Sequence, residues 1–237
     1  MPNTRLDLHG GTNVNHIHVV AAAALLGLGA PKRQGQVDGI IDKAVATYSK
    51  TKTSKGSFEQ TITNPLTGSK ATAKGDFEQQ RQPARFSFRF VQPKGDMLIG
   101  DGKWLWVYLP SSTPGQVIKV PMTEGGAGSL DLASRFFASP KTRFTITDAG
   151  AATIGGRATH ALTLVPKATG EPFTRAKVWI DTADGTLRQF ETVEPSGITR
   201  LVTVTAVTPN APVNAKSFMF TPPKGARVVD QQALGGR

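Results

Sequence analysis

The chain has 237 residues, no cysteine, four histidines and a formal net charge of +11. The length suits one all-β domain with an ample core, and the missing cysteine excludes disulfides, thiolate metal sites, a cysteine nucleophile and lipid attachment at an N-terminal cysteine. The positive excess favours anionic partners, but it is spread along the chain; its densest groups, Lys50/Lys52/Lys55 and Arg81/Arg85/Arg89, read as a solvated basic surface rather than a nucleic-acid-binding tail.

Residues 17–30 read IHVVAAAALLGLGA, an apolar run of signal-peptide length, too short to span a bilayer and ending in small residues. The expectation is an export signal over residues 1–30 and a single domain over 31–237. Val37, Ile40, Ile41, Ala44, Val45 and Tyr48 then follow the i, i+3, i+4 spacing of one helical stripe. Gly56 marks the end zone of that helix.

β patterning takes over at residue 57. Segments 57–63 and 71–80 flank the turn signal Asn64-Pro65-Leu66-Thr67-Gly68. In 85–91, RFSFRFV, the alternation puts Phe86, Phe88 and Phe90 on one face and Arg85, Ser87 and Arg89 on the other. Segments 97–99 and 104–109 meet at the hairpin signal Asp101-Gly102, and 116–120 follows. A Gly-rich break at 124–129 leads to a short helix over 129–138, with Leu132, Phe136 and Phe137 apolar and Pro140 as its stop. Strands are expected over 143–147, 158–165, 174–180, 186–193 and 198–207. Short strands with regular turns imply an antiparallel sheet that curls.

The usual catalytic patterns are missing. Past residue 30, His160 is the only histidine, and it lies in a strand pattern, where a lone histidine is structural far more often than catalytic. No zinc-ligand spacing, G-x-S-x-G elbow or phosphate-binding GxxxxGK[ST] loop occurs. The carboxylate pairs Asp181/Asp184 and Glu191/Glu194 read as exposed turn and edge residues. No enzymatic activity and no metal or other cofactor are expected. Hydrophobic display remains. Phe86/Phe88/Phe90 form one aromatic stripe and Trp104/Trp106/Tyr108 another, while Leu105, Val107 and Leu109 occupy the second face of that same strand. A strand apolar on both faces is either buried on both sides or lines an apolar lumen.

SFEQTIT, GDFEQQRQPARFSFRF and QPKGDMLIGDGKWLWVYLP, in this order, and the tail FMFTPPKGARVVD together resemble the LolA family of periplasmic lipoprotein carriers. The resemblance implies an incomplete antiparallel β-barrel under a helical lid, with an apolar cavity for lipoprotein acyl chains. On it, Phe86, Phe88, Phe90, Trp104, Trp106 and Tyr108 are the expected cavity residues, and Ile41, Val45, Leu132 and Phe136 belong to the lid helices. Family members carry an Arg-Pro pair whose arginine tethers the lid. Here the text is Arg81-Gln82-Pro83, so either Arg81 or Gln82 takes the latch position. The implied partners are lipoproteins, an inner-membrane ABC lipoprotein-releasing complex and an outer-membrane acceptor lipoprotein. The implied carrier is a periplasmic monomer. The rival readings are a lipid-sensing envelope regulator on the same scaffold and a basic nucleic-acid-binding β-barrel. The second requires aromatics interleaved with cations on one face, whereas RFSFRFV segregates them.

Overall fold

The computed structural model describes residues 30–122 and 133–230. The expected export segment lies outside these residues except for Ala30, and Leu132 lies outside them as well. In chain order the elements are α1 (Ala30–Lys50), β1 (Thr53–Thr63), β2 (Lys70–Gln80), β3 (Arg85–Gln92), β4 (Met97–Gly100), β5 (Trp104–Tyr108) and β6 (Gln116–Pro121). Then come α2 (Ser134–Phe137), α3 (Pro140–Arg143), β7 (Phe144–Ile154), β8 (Arg157–Pro166), β9 (Arg175–Asp181), β10 (Leu187–Val193) and β11 (Thr199–Pro209). A 3-10 turn (Ala215–Phe218) leads to β12 (Arg227–Asp230).

All twelve strands join one open sheet in the order β12-β6-β5-β4-β3-β2-β1-β11-β10-β9-β8-β7. The architecture is an incomplete barrel with short helices on its inner side, mainly β as the residue pattern predicts. Pairing is antiparallel between neighbours except at one edge, where β12 lies parallel to β6. The β1–β11 pairing joins the two halves of the sheet.

Register decides which side chains meet. Phe77, Phe88, Leu98 and Val107 stand opposite one another across β2 to β5. Val202, Phe190, Val178 and Leu162 do the same across β11 to β8. Strand side chains alternate faces, so these rows share the inner face, and they form one hydrophobic core with Val37, Ile41 and Ala44 of α1. The helical stripe thus finds the surface it needs, at about 1.5–3 kcal/mol per large aliphatic side chain buried.

Three local differences from the sequence pattern have clear causes. Gly56 lies within β1, because α1 already ends at Lys50. A Cβ at Gly56 would come within 2.0 Å of the Ala206 carbonyl oxygen and 3.0 Å of the Phe77 ring, so the position serves close packing rather than helix termination. Pro140 stops no long helix; it opens α3, where its missing N–H costs nothing. β7 runs on to Ile154, because a bulge between Asp148 and Ala151 lets the strand keep pairing with β8 past Gly150.

Candidate functional site

Between the inner face of the sheet and α2 lies a cavity of about 280 Å³. β1 contributes Phe58, β3 Phe88 and Phe90, β4 Leu98, β10 Phe190 and β11 Val202. Phe136 of α2 and Phe173 before β9 close the opposite wall. The rings pack edge to face or tilted: Phe58 is 5.7 Å from Phe88 and 5.4 Å from Phe90, and Phe136 is 5.1 Å from Phe190. Phe86 lies beneath this lining, 5.8 Å from Phe88 and almost fully buried. It faces Gly100, where a Cβ would fall 2.4 Å from its ring. The Phe86/Phe88/Phe90 stripe therefore sits on the cavity side, with Phe88 and Phe90 at the wall and Phe86 supporting them.

Trp104, Trp106 and Tyr108 do not line this cavity. Their strand neighbours Leu105 and Val107 point to the inner core, so by alternation the larger side chains point outward. There the C-terminal segment covers them. Phe220 packs 5.6 Å from Trp106 and 6.0 Å from Tyr108, and the Lys119 ammonium lies 3.7 Å from the Trp104 ring centroid. Ile99, Val117 and Phe218 are fully buried. Of the two explanations for a strand apolar on both faces, burial on both sides holds. The Trp106 indole N–H also donates to Asp101 Oδ2 at 2.8 Å, while the backbone N–H groups of Lys103 and Trp104 donate to Asp101 Oδ1. Burial pushes the Asp101 pKa up, but these hydrogen bonds outweigh it and hold the carboxyl below its usual value.

α1 roofs the inner face and is fastened at three places. At its C-terminal end Arg81 Nη1 donates to the carbonyls of Tyr48 (2.7 Å), Ser49 (3.1 Å) and Thr51 (3.2 Å), and the guanidinium carbon lies 4.1 Å from the Tyr48 ring centroid. A cation here satisfies carbonyls that the helix leaves unpaired and complements its dipole. Gln82 is exposed, and its carbonyl accepts from Gln80 Nε2. Along its middle, α1 rests on the β9–β10 turn: Lys43 Nζ donates to the Thr182 carbonyl and Thr47 Oγ1 to the Asp184 carbonyl. A Cβ at Gly185, which has φ +74°, would come within 2.8 Å of Thr47 Oγ1. Also near the middle, Asp42, one residue before Lys43, accepts from Lys141 of α3 at 2.6 Å. Ile41 is fully buried beneath α1, and Val45 packs on the same core. A second cavity opens under the C-terminal half of α1, between Tyr48, Arg81, Phe137 and Val204.

The β9–β10 turn is braced by contacts that residue pattern does not reveal. Asp181, read from the sequence as an exposed turn residue, is buried, and its Oδ2 accepts from Arg157 Nε at 2.6 Å and Arg188 Nε at 2.9 Å. Asp184 Oδ2 accepts from the Nη2 atoms of both arginines. Burial raises the Asp181 pKa, but the arginines and the Ala183 N–H overcome it and bring the pKa down to about 2. His160 pairs with Asp148 at 2.6 Å on β7 and β8, remote from the aromatic cavity. Among the described residues no group of three or more His, Cys, Asp or Glu side chains could hold a metal ion. No described helix is long and apolar enough to cross a membrane.

The family model described as "Outer membrane lipoprotein carrier protein LolA" matches residues 49–221. An outer-membrane lipoprotein carrier protein of Ralstonia nicotianae is 30% identical over 221 residues, covering 89% of this chain and 95% of its own. Its counterpart from Cupriavidus necator is 28% identical over 221 residues, covering 91% and 97%. The solved lipoprotein LppX of Mycobacterium tuberculosis aligns with 76% of this chain and 98% of its own at 15% identity and a TM-score of 0.47, a likeness that bears on neither function nor site. The match runs from the last two residues of α1 through the whole aromatic wall to Thr221 in the C-terminal segment: the chain belongs to the LolA family.

Proposed function

We propose that this protein is an exported carrier that shelters lipoprotein acyl chains in the aromatic cavity and takes them from the inner to the outer membrane. The observation that carries the reading is the cavity itself, walled by Phe58, Phe88, Phe90 and Phe190 and roofed by a helix held through polar contacts. The carrier names of the relatives agree with it. Export depends on residues 1–30, and the donor and acceptor are an inner-membrane ABC releasing complex and an outer-membrane acceptor lipoprotein.

The energetics fit a shuttle. Each buried methylene contributes about 0.8 kcal/mol, so a single acyl chain supplies ample driving force for uptake. Release then becomes the harder step. Arg81 favours the closed, empty form by hydrogen-bonding three carbonyls at the end of α1, so loading must break those bonds and unloading restores them. The latch thereby lowers net affinity enough for cargo to pass to a tighter acceptor. Arg81, rather than Gln82, takes the latch role in this account.

Native mass spectrometry of the protein recovered from the periplasm tests the reading. Bound acylated protein or lipid is the expected result. A periplasmic pool that is always empty, or that carries nucleic acid instead, overturns it.

A further inference from the structure

The cavity is apolar but not neutral. Arg135, Arg200 and Glu194 stand among its lining residues, which leaves one positive charge uncompensated among the described residues of the lining. Glu194 approaches Arg200 at 3.7 Å, and Arg200 Nη1 also donates to Gln60 Oε1 at 2.9 Å. Nearby, Arg143 is fully engaged. Its Nε and Nη2 donate to Glu171 Oε1 at 3.1 and 2.6 Å, and its Nη1 donates to the carbonyls of Arg135 and Ala138.

Arg135 differs from both. It sits on α2 beside Phe136, and among the described residues its guanidinium has no carboxylate within salt-bridge distance. Burial, followed by repulsion from Arg200, depresses its pKa; Glu171 opposes this and Arg143 adds to it. A half-buried cation with no counter-ion among the described residues is an unfavourable arrangement unless something anionic shares the space. The planar fork of a guanidinium fits a carboxylate with two parallel hydrogen bonds, stronger than a neutral contact.

We propose that the cavity takes an acyl chain bearing a carboxylate head, a fatty-acid anion, with the head between Arg135 and Arg200 and the chain against Phe58, Phe88 and Phe90. The proposal rests on the reading of this cavity as an acyl site and adds a charged end to it. One uncompensated positive charge matches a monoanion, and a cavity of about 280 Å³ at the small end of ligand pockets suits one chain better than several.

The test is a calorimetric titration of the delipidated full chain at pH 8 with decanoate, decanol and decyltrimethylammonium. Decanoate should bind about tenfold tighter than decanol, and the cationic chain more weakly than either. Arg135→Met should bring decanoate and decanol to similar affinity, while Arg135→Lys, which keeps the charge, should retain most of the preference. Equal binding of decanoate and decanol to the unaltered protein overturns the charged end but leaves the acyl site standing. So does an unchanged preference in a folded Arg135→Met protein. Failure of all three chains to bind overturns the acyl site, and this proposal with it.

Discussion

Two aromatic stripes lie close together on this sheet and do opposite work. Phe86, Phe88 and Phe90 on β3 face the inner cavity, whereas Trp104, Trp106 and Tyr108 on β5 face outward under the C-terminal segment. Both are aromatic at alternate positions; strand parity puts them on opposite faces. The Phe rings themselves carry no polar atom and sit under α1 and α2, which are held by hydrogen bonds and ion pairs. The Trp side is sealed by Phe220, by Phe218 and by the parallel pairing of β12 with β6. In the proposed function the first side opens and the second stays shut.

The largest effect expected from breaking this contrast is at Phe88. Phe88→Ala should cost about 3–5 kcal/mol in urea unfolding, as for other buried phenylalanines, because rings of β1, β2 and β3 all touch it. Phe220→Ala, which uncovers only a partly exposed contact, should cost about 1–2 kcal/mol and leave acyl-chain binding unchanged. Equal losses, or lost binding in the second variant, would erase the distinction between the two faces.

The lid comes next. Timed transfer of acyl cargo to an acceptor should slow several-fold in Arg81→Leu, because the open form is no longer penalised, while Gln82→Arg should match the unaltered protein. A change in Gln82→Arg alone would move the latch to the neighbouring position. On the Trp side, Trp106→Phe removes a hydrogen bond to a charged partner and should lower stability by about 1–2 kcal/mol, readable as a shift in the urea midpoint.

The smallest effect concerns acid. The Asp181 pKa in the folded chain is about 2, below the value of about 4 expected of an unfolded aspartate. The folded protein therefore binds this proton less readily. The stabilisation is fully present above about pH 4 and is lost as the pH falls through about 2. Asp181→Asn should flatten that part of the stability-pH curve, followed by circular dichroism. It should also loosen α1, which rests on the same turn. A curve as steep as that of the unaltered protein would show that the turn does not carry the acid response.

Much of this architecture is legible from residue order, since alternation in RFSFRFV and the 3.6-residue stripe of 37–48 each need one apolar partner surface. What order does not reveal is which of two apolar faces the second partner covers. β5 reads the same whether Trp106 or Val107 faces the lumen, and its pairing with β4 and β6 is decided together with the cover that Phe220, far along the chain, lays over one face. The buried Asp181 and the cavity arginines are hidden for a related reason. Asp181 meets Arg157 and Arg188 only through the pairing of β8, β9 and β10, and the phenylalanines around Arg135 come from β1, β3 and β10, strands that are far apart in sequence. Arg81 and Gln82 are adjacent and equally plausible in text, but only Arg81 sits at the register where it reaches the last carbonyls of α1.

The central claim, that cargo touches the Phe stripe and not the Trp stripe, can be tested by fluorescence. All three tryptophans, Trp104, Trp106 and Trp179, lie outside the core that surrounds the cavity. A lipopeptide with brominated acyl chains should leave native emission nearly unchanged, whereas in Phe90→Trp the added indole should be strongly quenched. Strong quenching of the native tryptophans, with little added by position 90, would contradict the account and place the acyl chains on the other face of the sheet.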